Sequence, residues 1–129
     1  MAADISQKSL RDGSSKSASL LRHSTRVTSY YNPYDDILSI SEVKRIGVSR
    51  RLGRVGLPQD HSDKAVNLYC GKFFRDNSDD FGDAVGISHR WYFDSPRFYE
   101  DLFHTFMGKL DREVIPTRGR TDQGNLALK

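Results

Sequence analysis

Three arginines and three glycines share one short stretch of this chain, "GVSRRLGRVG" at residues 47–56. Guanidinium forks and glycine-exposed amides suit anions, so Arg50, Arg51 and Arg54 raise the question of a phosphate or carboxylate contact. A Walker-type phosphate loop needs four residues between its glycines, then Lys and Ser or Thr. Here five residues separate Gly47 from Gly53, and Arg54 and Val55 follow. A dinucleotide fingerprint fails as well, because no strand is expected before the stretch and its spacing is wrong. A helix-turn-helix reading of "SEVKRIGVS" would place a recognition helix over "RRLGRVGLP". Gly53 and Gly56 would each cost that helix about 1 kcal/mol, and Pro58 would end it. What remains is anion contact without sequence reading. The expected partner-binding set is Arg45, Arg50, Arg51 and Arg54, set against a solvated basic loop that binds nothing. No acid lies between Lys44 and Leu57, and the two glycines argue against a regular buried helix. The guanidinium groups of Arg50, Arg51 and Arg54 are therefore expected in solvent.

Other chemistry finds less support. His23, His61, His89 and His104 share no ligand spacing with one another or with Cys70, whereas a zinc site wants pairs two to five residues apart. In "DNSDDFGD" a calcium loop would need Gly at position six and Glu at twelve. Counted from Asp76 these are Phe81 and Ile87; counted from Asn77, the twelfth is Ser88. Cys70 has no nucleophile signature, and a lone cysteine of this kind is usually inert. The neighbours Asp79 and Asp80, or Glu100 and Asp101, do not converge if helical, because adjacent helix positions point apart. No catalytic residue, metal or cofactor is expected.

Charge and composition narrow the class. Residues 1–57 carry ten Lys and Arg against five Asp and Glu, a net of +5, while residues 58–129 carry ten against twelve, a net of −2. The first half is the more plausible anion contact. The apolar fraction of 36 % is low for a globular chain, so a modest core with polar extensions is expected. No apolar run approaches the roughly 18 residues of a membrane span. With Cys70 as the sole cysteine no internal disulfide forms, and a reducing intracellular compartment is expected, the cytoplasm first.

Residues 1–29 are rich in Ser and poor in buriable side chains, which predicts a disordered basic arm. A mitochondrial or plastid transit peptide is the alternative, with Asp4 and Asp12 against it. In "YYNPYDDILSISEVKRIG", Asn32 can cap, Pro33 suits the first helical position and Gly47 stops the helix. "HSDKAVNLYCGKFFRD" reads as a helix from Ser62, with a strand through Val66–Cys70 as the alternative. "DNSDDFGDAVG" reads as a loop and "ISHRWYF" as a strand. The clearest element is "SPRFYEDLFHTFMGKLDREV". Ser95 caps it, Pro96 takes the first position, and Phe98, Leu102, Phe106 and Leu110 follow at four-residue spacing. That stripe is expected in the core, with a docking face as the alternative. Pro116, Gly119 and Gly124 then predict a flexible tail.

The expected fold is α+β and mainly α: a small single domain over 30–115 of about three helices with one or two short strands. An arm at 1–29 and a tail at 116–129 flank it. The expected function is a non-enzymatic intracellular binding or assembly protein that contacts an acidic partner through the basic loop and flexible tails. Tyr30, Tyr31 and Tyr34 beside the arginines add the residue types enriched at contact surfaces. The alternative is nucleic-acid binding, as in a small viral nucleoprotein or capsid-type subunit with a basic arm. No small-molecule substrate and no membrane span are expected.

Overall fold

The structure, a computed structural model, describes residues 6–11, 13–44 and 50–129, with side chains of 41–44 left aside. Among these, seven α-helices surround a four-stranded sheet. A 3-10 turn at Gln7–Leu10 leads to α1 (Ser15–Arg22), β1 (Val27–Tyr31), α2 (Asp36–Lys44) and α3 (Leu52–Val55). Then come β2 (Ala65–Tyr69), α4 (Gly71–Asp76), α5 (Ser78–Phe81), α6 (Ile87–Arg90) and a 3-10 turn at Trp91–Phe93. The chain ends with α7 (Pro96–Met107), β3 (Arg118–Arg120) and β4 (Leu126–Leu128). None of these helices is long and apolar enough to cross a membrane.

The sheet runs β1-β2-β4-β3. β1, β2 and β4 are parallel, and β3 closes the edge antiparallel to β4. Alternate residues of a strand face opposite sides, and the two sides carry different cores. Tyr30, Leu68, Cys70, Leu126 and Leu128 join Phe74, Trp91, Tyr92 and Phe98 in the larger one. Ala65 joins Leu52 and Leu57 on the other side, with Leu10 and Val27 packed against them. A mixed sheet covered on both faces fits the expected α+β class, with seven helices and four strands among the described residues in place of about three helices and one or two strands.

Several expectations are corrected by this sheet. Residues 65–69, read as part of a helix, form the central parallel strand, and only 71–76 are helical. "ISHRWYF" is α6 and a 3-10 turn rather than a strand, and Ser78–Phe81 of the expected loop is helical. The expected tail supplies β3 and β4, whose Leu126, Ala127 and Leu128 are all buried. The expected arm carries α1, capped by Ser14 through the amide of Ser17, and the start of β1. Asn32 does not cap α2: its Oδ1 accepts from Tyr34 N, while Asp35 Oδ1 accepts from Leu38 N at 2.9 Å and starts the helix. Ser95 does cap α7 as expected, its Oγ accepting from Phe98 N.

One buried ion pair ties the third layer to the sheet. Asp101 of α7 and Arg118 of β3 have no exposed side-chain surface. Arg118 Nε donates to Oδ2 at 2.8 Å and Nη2 to Oδ1 at 2.7 Å. Thr117 Oγ1 donates to Oδ2 and Tyr30 OH to Oδ1. Arg118 also donates to Arg112 O and Thr105 Oγ1. Burial alone would raise the Asp101 pKa, but the bonds from Arg118, Thr117 and Tyr30 outweigh it and hold the carboxyl below its ordinary value. The Tyr30 hydroxyl is pushed up, first by burial and then by the Asp101 charge.

A carboxyl whose folded pKa lies below its unfolded value adds stability above the unfolded pKa, about 3.9, and loses it as pH falls through the folded pKa. Denaturant titrations should therefore show stability falling below about pH 4. Asp101→Asn, which leaves Arg118 buried and unpaired, should cost about 3–5 kcal/mol at pH 7 and flatten that acid dependence. An Asp101→Asn protein as stable as wild type at pH 7 would show the pair to be dispensable.

Candidate functional site

Residues 50–56 of the basic stretch are folded onto the sheet. Arg45 lies outside the described residues. Arg50 is exposed, and its carbonyl accepts from Gln7 N at 2.9 Å. Arg51 opens α3 and is only 4 % exposed. Arg54 is half-buried, with Nε donating to Pro33 O at 3.2 Å. The expectation of three guanidinium groups in solvent is thus corrected for Arg51 and Arg54. The glycines explain why. Gly53 O accepts from Asn32 N at 2.8 Å, just past β1. Gly56 sits at φ 75°, and a Cβ there would stand 2.6 Å from Asn67 Oδ1. The stretch thereby approaches the strands closely enough to bury Leu52 and Leu57.

A polar cluster lies just beyond the carboxyl end of β1, where ligands gather in parallel sheets. Asn32 and Asp35 are fully buried. Asn32 Nδ2 donates to Ser88 O, and the Asp35 Oδ2–His89 Nδ1 distance is 2.8 Å. This fixes a partly exposed imidazole over a buried carboxylate. The Ser88 hydroxyl, however, is bound to Asp36, whose amide donates to it at 3.1 Å. The cluster therefore sets no nucleophile against His89 and serves to dock α6 on α2. Cys70 is also no activated nucleophile: burial and then the Asp101 charge push its thiol up, the direction opposite to activation. Among the described residues no three His, Cys, Asp or Glu side chains converge on a metal position.

A cleft of about 930 Å³ opens between α4–α5, the start of α7 and the β3–β4 hairpin. Of its charged walls, Lys72 pairs with Asp76 and Arg97 with Glu100 at 2.9 Å, and Asp80, Asp94, Asp122 and Lys129 also line it.

The outer face of α7 is different. Phe98, Asp101, Leu102 and Thr105 face inward, with Phe98 and Asp101 buried. Offset from them, Tyr99, Phe103, Phe106 and Met107 form a second apolar stripe at i, i+4, i+7 and i+8. Phe106 is 80 % exposed and Phe103 59 %; Tyr99 and Met107 are each about half exposed. Tyr99 OH donates to Phe93 O at 3.1 Å, which adds the exposed ring of Phe93. At roughly 200 Å² per large side chain, these five leave about 600 Å² of apolar surface in solvent, at the upper limit for monomers. Phe106 is thus corrected from core to surface. Each four-residue step overshoots a 3.6-residue turn by about 40°, so a stripe that begins inward at Phe98 has turned outward by Phe106.

The chain matches no family model, and neither a curated protein nor a solved structure is similar to it.

The two phenylalanines should behave oppositely. Phe98→Ala should cost about 3–5 kcal/mol and Phe106→Ala within about 0.5 kcal/mol of nothing, read from denaturant midpoints. Equal losses would place Phe106 in the core after all.

Proposed function

We propose that the chain is a non-enzymatic binding or assembly protein. The outer face of α7 is its docking surface. The observation that carries this reading is the exposed stripe of Tyr99, Phe103, Phe106 and Met107 on an otherwise well-anchored helix. Exposed apolar surface costs a free protein solubility, and aromatic and methionine side chains are the types enriched at interface centres. The helix is capped at Ser95, ended by Gly108 at φ 61°, and pinned through Asp101. The face is therefore pre-organised, which lowers the ordering cost of binding.

The basic stretch enters this reading in a reduced form. Arg50 remains as an exposed cation, on the side of the sheet away from α7, for an acidic partner. A nucleic-acid partner would want a dense basic face. The burial of Arg51 and the engagement of Arg54 with Pro33 favour a protein partner instead.

The test compares immobilised wild type with Phe106→Glu and Arg50→Ala after exposure to cell extract, with bound proteins identified by mass spectrometry. Phe106→Glu should lose the specific captures while keeping its melting temperature. Arg50→Ala should leave these captures in place and weaken only those of an acidic partner held on the opposite side of the sheet, more at low salt than at high. Identical capture by wild type and Phe106→Glu would remove α7 as the docking face.

A further inference from the structure

The outer face of α7 has a symmetry of its own. Phe103 sits at its middle, with Tyr99 four residues before and Met107 four residues after. We propose that the partner seated on this face is a second copy of the chain, packed two-fold with the α7 helices antiparallel and crossing at Phe103. The inference rests on the reading of α7 as a docking surface.

A two-fold interface must be complementary to itself. In the antiparallel register Phe103 meets the second copy's Phe103 on the axis. Tyr99 meets the second copy's Met107, a ring against a thioether, which is a favourable contact. The flank fits as well. Glu100, already bonded to Arg97 at 2.9 Å, comes within a turn of the second copy's His104 on the same flank. A parallel two-fold arrangement would instead set Tyr99 against Tyr99 and Met107 against Met107, losing the ring–thioether contacts. The apolar surface of about 600 Å² per copy approaches the roughly 800 Å² per partner of a standard interface. The inner face is occupied by the core and by Arg118, so the outer stripe is the one apolar face α7 has left to offer.

The sequence supplies a clean cross-linking background, because Cys70 is its only cysteine and is fully buried. A disulfide requires Cβ atoms within about 4.5 Å. Phe103→Cys should therefore form an intermolecular disulfide with added diamide as oxidant, whereas wild type should not. Tyr99→Cys should not link to itself, because its two copies stand about 12 Å apart along the helix at 1.5 Å per residue. Mixed with Met107→Cys, it should link. Light scattering of the wild type at 100 µM should give twice the 14.7 kDa chain mass. Phe103→Glu, which sets two carboxylates on the axis, should weaken the dimer about 100-fold and melt like the wild type only at concentrations where both are monomeric.

A monomer at 100 µM, or cross-linking of Tyr99→Cys to itself in preference to Met107→Cys, overturns the inference. A monomer that still loses its extract captures on Phe106→Glu would remove the second copy as partner and leave α7 as a docking face. A monomer whose captures survive that change would remove both.

Discussion

A carboxylate sealed from water sets the terms for this fold. Asp101 has no exposed surface, and its two oxygens accept from Arg118, Thr117 and Tyr30. Those donors come from β3, the residue before it, and β1, more than 70 residues away in sequence. An unpaired charge in such a place would cost several kcal/mol. The arrangement is therefore strongly cooperative: α7, the C-terminal hairpin and the edge strand must all be in place for any of them to be satisfied. The ladder makes this more consequential. β4 pairs with β2 at a single residue couple, Tyr69 and Ala127. The hairpin is held to the body less by backbone bonds than by Leu126, Leu128 and the Arg118 fork.

The same pair fixes which way α7 faces. With Asp101 directed inward, Phe98, Leu102 and Thr105 must follow it, and Tyr99, Phe103, Phe106 and Met107 must face away. The helix cannot rotate to bury Phe106 without drawing Asp101 off Arg118. The cost of exposed aromatic surface is thus borne because the alternative, a stranded buried charge, is worse. An apolar face held outward by a polar lock is a stable feature of the free molecule, which is what a docking surface requires.

Much of α7 was legible in the sequence. Ser95 and Pro96 mark its start by local chemistry, since a cap acts within a turn, whereas the stripe drawn on to Leu110 overran the stop at Gly108. Which of its faces is buried was not legible. The four-residue spacing of Phe98, Leu102, Phe106 and Leu110 drifts around the helix, and the residue that decides the orientation is Asp101, whose partner lies 17 positions on. The sheet was hidden for a related reason. β1 and β2 are five residues each and β3 and β4 three, too short for an alternation to stand out. β1, β2 and β4 pair in parallel, so no hairpin turn announces those pairings. "RGRTDQGNLALK" was read as a tail because Gly119 and Gly124 interrupt it. Gly124 in fact makes the turn between β3 and β4, where its φ of 80° suits glycine.

The basic stretch shows how one residue type reads differently once folded. Arginine between glycines suggested an anion site because both groups are exposed in an extended loop. In the folded chain Gly56, at a φ of 75°, lets the backbone come close to Asn67, Gly53 O accepts from Asn32 N, and Leu52 and Leu57 join the smaller core. Arg51 is buried as a consequence, since it stands between two elements drawn together, and Arg54 turns to the carbonyl of Pro33. The stretch thereby closes the carboxyl end of β1 from one side while Ser88 and His89 close it from the other. The carboxyl end of β1 is thus filled by the chain's own residues, while Leu128 and Lys129 at the end of β4 line the open cleft beside α4 and α7. The apolar outer face of α7, held outward by the Asp101 lock, is the described surface on which the proposed docking role rests.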